Sequence, residues 1–270
     1  MIPAPEPEGV ANSRVSISIA DGIADVRLSR PEKMNALDSA MIRGICAAID
    51  RLAVEAGLRA VVLSGEGRVF CAGLDVGSVS IGAADLNLET RSYGLANEVQ
   101  HVAWGWRALP VPVIAAVHGI AFGGGLQIAS GADVVIARAD TRLSVMEMKW
   151  GTIPDMAGFA LWKGRVRDDI LRELTYTTRE FDGTEGTALG FVSRTADNPR
   201  EEALALARNI AARNPHAINA AKRMANLAID ADIETILIRE SDEGIRLLGS
   251  PNQVEAVRAN VEKRQPKFVN

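Results

Sequence analysis

Two short glycine-bearing stretches in this 270-residue chain are the best candidates for chemistry: Phe70-Cys71-Ala72-Gly73-Leu74-Asp75 and His118-Gly119-Ile120-Ala121-Phe122-Gly123-Gly124-Gly125. Each follows a segment that reads as a strand, and in open α/β sheets ligands bind beyond strand ends. A residue without Cβ lets a substrate come close to backbone N–H groups, so the two loops together can hold an oxygen atom. The alternative for either loop alone is that its glycines only permit tight turns and close packing. Other chemistries are excluded by inspection. There is no GxxxxGK followed by Ser or Thr, no HExxH, no GxSxG and no strict GxGxxG. His101, His118 and His216 lie far apart and show no metal-ligand spacing, so no metal is expected. Cys46 and Cys71 form no CxxC pair, and neither a zinc knuckle nor a disulfide framework is indicated.

The elements that must position these loops are legible in the hydrophobic pattern. Val15, Ile17 and Ile19 alternate with polar residues, Asp21-Gly22 supplies a turn, and Ala24, Val26 and Leu28 alternate again, which predicts a hairpin. Asp38 or Ser39 can cap a helix whose apolar face is Met41, Ile42, Ile45, Ile49 and Leu52. Ala60 to Leu63, Val111 to Val117, Asp133 to Ala137 and Arg142 to Val145 read as strands, with helices around Leu95 to Trp106 and near Leu126. Strands alternating with helices point to α/β architecture with crossover connections. Beyond Asp155 the remainder reads as helices, including Glu201 to Arg213, a segment after Pro215, and Asp232 to Leu248. Ser250-Pro251-Asn252-Gln253 has the cap, proline and box residue of a further helix start.

Composition bounds the partners. With 30 Lys plus Arg against 34 Asp plus Glu the net charge is -4, which argues against a surface built for phosphate backbones and so against nucleic acid. The most apolar stretch, Leu109 to Ala129, is broken by two prolines, four glycines, His118 and Gln127, and reads as buried core, not as a membrane span. The first residues carry neither the basic run nor the apolar stretch of a secretory signal, and Pro3, Pro5 and Pro7 favour an extended, disordered arm over residues 1–13. A reducing, cytoplasmic setting is the expectation.

Four segments in order resemble the successive signatures of the crotonase (enoyl-CoA hydratase/isomerase) superfamily: Arg30 to Leu37, Phe70 to Asp75, Gly119 to Gly125, and Gly151-Thr152-Ile153-Pro154. Phe181 to Val192 and Asn214 to Lys222 are similar to later family segments, and the likeness spans about residues 14 to 265. The resemblance implies a ββα spiral over residues 14–200, followed by a helical trimerisation region over 201–270. It implies a CoA thioester whose carbonyl oxygen lies between the backbone N–H groups of Leu74 and Gly124. Donors fixed there would stabilise the negative charge that develops when a proton next to the thioester is removed, or when water adds to a conjugated double bond. By the same resemblance Ala72 meets the CoA adenine, and Met34, Ala36, Asp75 and Gly123 line the binding channel. Lys33, Arg68 and Lys267 are candidates for the CoA phosphates, with solvated surface charge as the alternative.

The acid/base set departs from the hydratase pattern. Hydratases of the family carry two glutamates that hold and split a water, one just after the triple glycine and one before the Gly-Thr-Ile-Pro stretch. Glu147 stands at the second place, but Gln127 occupies the first, and an amide cannot exchange a proton. Losing one positioned acid/base costs about 10²- to 10⁴-fold, which weakens the usual hydration route. Gln127 is left to hydrogen-bond water or substrate, or to be a helix residue with no role. Asp155, eight residues after Glu147, resembles the aspartate of the dienoyl-CoA isomerase branch, although that branch has a carboxylate where this chain has Gln127. Asp155 could instead cap a helix starting near Met156 or Ala157. Among Val145, Met146, Met148 and Trp150, Glu147 is expected to have a raised pKa, as suits a proton carrier; a surface glutamate at a strand end is the alternative.

The resulting expectation is an acyl-CoA double-bond isomerase with Glu147, Asp155 and Gln127 as its acid/base set. It needs no cofactor beyond the coenzyme A of the substrate, and it assembles as a homotrimer or hexamer, with tail residues such as Phe268 reaching a neighbour. Hydration, another crotonase reaction, or a non-catalytic acyl-CoA binder are the alternatives. Trp104, Trp106, Trp150 and Trp162, with Met146, Met148 and Met156, are expected either to shape an acyl pocket or to be plain core.

Overall fold

The structure, a computed structural model, describes residues 14–75, 77 and 88–270. The arm expected over residues 1–13 lies outside them. The alternating segments around Asp21-Gly22 form the expected hairpin, β1 (Val15–Ala20) pairing antiparallel with β2 (Ile23–Leu28). Asp21 and Gly22 take φ values of 52° and 75°, the conformation of a primed hairpin turn. Asp38 caps α1 (Ser39–Ala53), accepting from the Met41 amide at 2.7 Å, and the expected stripe Met41, Ile42, Ile45, Ile49 and Leu52 is buried. There follow β3 (Ala60–Gly65), α2 (Glu98–Ala108), β4 (Val113–Val117), β5 (Ile120–Phe122), α3 (Gly124–Ser130), β6 (Val134–Ala137) and β7 (Arg142–Ser144). The remainder comprises α4 (Gly158–Trp162), α5 (Asp168–Thr177), α6 (Gly183–Leu189), β8 (Arg194–Thr195), α7 (Pro199–Ala211), α8 (Pro215–Leu227), α9 (Ile233–Leu247) and α10 (Pro251–Val261).

Strands and helices repeat as ββα units, and the two strands of a unit go to different layers. In the described residues, the first strands join a larger sheet of order β1-β2-β3-β4-β6-β8, parallel except for the hairpin. The second strands form a short parallel ladder in which Cys71 bridges Ala121 of β5, and β5 pairs with β7. Alternate residues of the larger sheet serve two cores. Val61, Leu63, Val113, Ala115 and Val117 face α1, α2 and α3, whereas Ala60, Val62, Ile114 and Ala116 face Ala203 and Ala207 of α7.

Several elements differ from the expectation. β5 and β8 were not predicted, being three and two residues long, too short for alternation to register. The triple glycine opens α3 at Gly124 itself. At α10 the side chain of Ser250 accepts from Gln253, but Gln253 reaches back to the Gly249 amide and not to its cap residue. Within its own chain the C-terminal tail is held at two residues: Val269 pairs through both backbone groups with Asn252, and Asn270 accepts from Arg59. No described helix is long and apolar enough to cross a membrane.

The C-terminal helices are tied to the sheet layer by one buried cation. Lys222 of α8 is 6% exposed, and its ammonium donates to the carbonyls of Trp106 and Val111 and to Asp133, which also accepts from the Val113 amide. Burial pulls its pKa down and Asp133 opposes that. Replacing Lys222 by Met removes one partner and leaves the half-buried carboxylate and two carbonyls short of a donor. We expect a loss of about 3 kcal/mol in denaturant unfolding, whereas an unchanged midpoint would show that the clasp contributes nothing.

Candidate active site

The two glycine loops meet. Gly73 has φ +88°, and a Cβ placed on it would sit 2.6 Å from the Phe122 carbonyl and 3.7 Å from the Gly124 nitrogen. The loop carrying Leu74 therefore lies directly against the start of α3. Its other side is held by Leu37, whose amide donates to the Gly73 carbonyl and whose carbonyl accepts from Asp75. In that parallel bridge the amides of successive residues point opposite ways. The Asp75 N–H is turned toward Leu37 and the Leu74 N–H away from it, and the latter finds no acceptor among the described residues. Gly124 is the first residue of α3, so its N–H also lacks an intrahelical partner, and none is found elsewhere among the described residues. Two unsatisfied amides side by side suit an oxygen that gains negative charge.

Glu147 lies against the same loop. It opens a short 3-10 turn, Glu147–Trp150, after β7, and a Cβ on Gly123 would come 3.1 Å from its Oε1. Gln127 is fully buried on α3, and its side-chain oxygen is saturated. Its Oε1 accepts from the amides of Met156 and Gly158, both at 2.9 Å. Two backbone donors fix the orientation of the side-chain amide, so its nitrogen must face Glu147, and it donates to Oε1 at 2.5 Å. The other carboxylate oxygen, Oε2, is buried and has no hydrogen-bond partner. Burial raises the Glu147 pKa, and the negative charge of Asp155 adds to the rise, against the opposing Gln127 and backbone hydrogen bonds. Asp155 is half-buried with its pKa also raised by burial. It does not cap α4, whose start is the left-handed Ala157 with no side-chain cap. The arrangement offers one carboxylate oxygen for proton transfer, a second carboxylate close by, and a pair of amide donors.

The sequence profile of the enoyl-CoA hydratase/isomerase family matches residues 18–270. The chain belongs to that family. Mouse mitochondrial methylglutaconyl-CoA hydratase is 27% identical over 92% of this chain and 79% of its own. A probable enoyl-CoA hydratase of Rhodobacter capsulatus is 34% identical over 94% of this chain and 97% of its own. The crystal structure of enoyl-CoA hydratase from Mycobacterium tuberculosis H37Rv superposes with TM-score 0.85 at 28% identity, covering 96% of this chain and 99% of that one. The spiral of ββα units is thus the crotonase fold.

Within this enoyl-CoA hydratase/isomerase chain the expected binding residues fall on three adjoining segments, around Met34, Ala72 and Gly123. The Met34 carbonyl accepts from the Ala72 amide, Ala36 is buried, and Gly123, with φ +49°, donates its amide to Ser144. Asp75 is engaged by Arg30 of the first loop at 2.8 Å. Lys33, Arg68 and Lys267 are exposed. Trp106 and Trp162 are core residues, whereas Met156 packs against Gly124, and Trp150 stands 57% exposed beside the site. Sequence reasoning missed Arg30 and Asn35. Asn35 is fully buried; its amide donates to the carbonyls of Glu66, Val69 and Phe70, and its carbonyl accepts from the Arg30 amide. Most of these partners lie more than 30 residues away, and the signal available was a polar residue beside apolar Ala36 and Leu37.

A carboxyl whose folded pKa is raised costs the folded state stability once ionised. That cost is absent below the unfolded pKa and complete above the folded one. The melting temperature of Glu147→Gln relative to wild type should therefore be higher at about pH 8 than at about pH 4. A constant difference across that range would contradict the burial of this carboxylate.

Proposed function

We infer that the chain is an acyl-CoA enzyme that shifts the double bond of an enoyl- or dienoyl-CoA. The observation that carries this reading is the Gln127 amide, whose oxygen is filled by two backbone donors and whose nitrogen bonds Glu147 Oε1, which leaves Glu147 Oε2 as the proton-transfer atom and Asp155 as the nearby carboxylate. In a 3-enoyl ester, ionised Glu147 takes a proton from C2. The electron pair of that C–H bond moves into the thioester, and negative charge builds on its oxygen against the Leu74 and Gly124 amides. The dienolate then collapses, taking a proton at C4 from the Glu147 carboxyl, which can exchange with solvent in between, so the double bond moves into conjugation and the carboxylate is regenerated. A raised pKa suits a group that must accept and then return a proton. Asp155, held near Glu147, opposes its ionisation and so keeps it basic.

The chemistry is proton transfer alone, so it calls for neither a metal nor a redox cofactor, and coenzyme A enters as part of the substrate. Met34, Ala36, Ala72, Asp75 and Gly123 are proposed to border the CoA channel. Helices α9 and α10 expose Ile233, Leu237, Ile238, Ile245, Val254 and Val257. These apolar side chains support assembly of the chain as a trimer or hexamer through its C-terminal helices. Hydration is the second reading, favoured by the names of the relatives. It would use Glu147 as proton donor, with water held by groups other than the saturated side of Gln127.

Incubation with 3-enoyl-, dienoyl- and 2-enoyl-CoA esters in D₂O, followed by mass spectrometry and NMR, tests the proposal. Double-bond migration with deuterium entering the acyl chain is expected, reduced about 10²- to 10⁴-fold in Glu147→Gln. Water addition as the faster reaction would establish hydration instead. Exchange with no ester, at unchanged CoA-ester affinity in the variant, would mark a binder.

A further inference from the structure

Arg30 is the most deeply buried guanidinium near the site, 7% exposed, and the reaction as derived makes no use of it. Its Nη1 donates both to the Ala36 carbonyl at 3.0 Å and to Asp75 Oδ2 at 2.8 Å, and its Nη2 lies 3.4 Å from Asp38 Oδ2. Its backbone amide is tied to Asn35, whose side chain binds the three carbonyls leading into the Leu74 loop. Asp38 in turn caps α1. One planar cation thus joins the first loop, the start of α1 and the residue that follows Leu74 in the chain. The fork geometry matters, since it fixes direction as well as charge.

We propose that Arg30 and Asp75 are positioning residues that set the angle of the Leu74 N–H in the oxyanion site. The Leu74 peptide lies between Gly73 and Asp75, and both neighbours are held. The Gly73 carbonyl is held by Leu37, the Asp75 amide by the Leu37 carbonyl, and the Asp75 side chain by Arg30. Without the ion pair, the Gly73-to-Asp75 segment keeps its two backbone bonds to Leu37 and loses the link from the Asp75 side chain to Arg30 beyond the end of β2. An N–H that turns by tens of degrees loses most of its bond to the oxyanion, because hydrogen bonds weaken steeply with angle. The assignment gives Asp75 a role distinct from contact with coenzyme A, and the two roles part company in kinetics. A positioning role affects kcat and enolate binding; contact with CoA affects KM.

This inference rests on the oxyanion reading above, and the test separates the two. A 3-ketoacyl-CoA is titrated into wild-type protein and into Asp75→Asn, Arg30→Lys and Arg30→Met, and the near-ultraviolet absorbance of its bound enolate is followed together with kcat and KM. Asp75→Asn keeps the size of its side chain and Arg30→Lys keeps the charge without the fork, so they serve where Arg30→Met fails to fold. Wild type should bind the ester partly as enolate. In folded Asp75→Asn and Arg30→Lys the enolate fraction and kcat should fall about 10- to 100-fold, with KM within about threefold and the lower pH limb of kcat/KM, set by Glu147, in place. Enolate formation in wild type and equally in both folded variants would overturn the positioning role. So would a loss confined to KM, which would place Asp75 on coenzyme A. Absence of enolate in wild type would overturn the oxyanion reading, and the inference with it.

Discussion

An amide left without an acceptor where two chain segments cross is the constraint on which this site depends. Backbone N–H groups in a folded interior almost always find a partner, and the chain here satisfies the neighbours of Leu74 and Gly124 with care. Gly123 donates to Ser144, Gly73 to the Cys71 sulfur, Asp75 to Leu37, and Ala72 to Met34. The two exceptions lie side by side because Gly73 has no Cβ to hold the Phe122 carbonyl away. The ladder through Cys71, β5 and β7 exists to bring those strand ends together. The larger sheet beneath it supplies the rigidity.

The acid/base group is governed by a competition between burial and hydrogen bonding. Gln127 satisfies one oxygen of Glu147 and leaves the other unpartnered, a state that generally costs about 1–3 kcal/mol. That cost favours proton uptake at the free oxygen, as the proposed role requires, since a fully bonded carboxylate would be a weaker base. A glutamate at position 127 would alter this balance. Two carboxylates in contact cannot both ionise, so the pair would share a proton. With glutamine there, Glu147 is the only one of the two side chains able to exchange a proton, and its charge is opposed by burial and by Asp155. The amide also clamps Met156 and Gly158, so it holds the segment that carries Asp155.

Much of this architecture was legible in the chain. The hairpin, the Asp38-capped α1 and the central strands followed from alternation and capping, because local pattern and global burial agree there. Gly73 and the Gly123–Gly125 run marked where backbone must approach backbone. Glu147 was visible through its family position and its apolar neighbours, and Asp155 through a spacing that resembles the dienoyl-CoA isomerase branch. What remained hidden was decided by tertiary contact. β5 and β8 are strands through their partners alone. Arg30 and Asp75 stand 45 residues apart, and no periodicity links them. The role of Gln127 was hidden too: its type excluded proton exchange, but its two backbone donors come from residues 29 and 31 positions downstream.

The most direct test of the account is a crystal structure of the protein with an unreactive acyl-CoA analogue bound. The account places the acyl carbonyl oxygen about 2.7–3.1 Å from the amide nitrogens of both Leu74 and Gly124, with Glu147 Oε2 facing the carbon next to it. A carbonyl bound elsewhere, or one held by side chains while those two amides bond to water or protein, would contradict it.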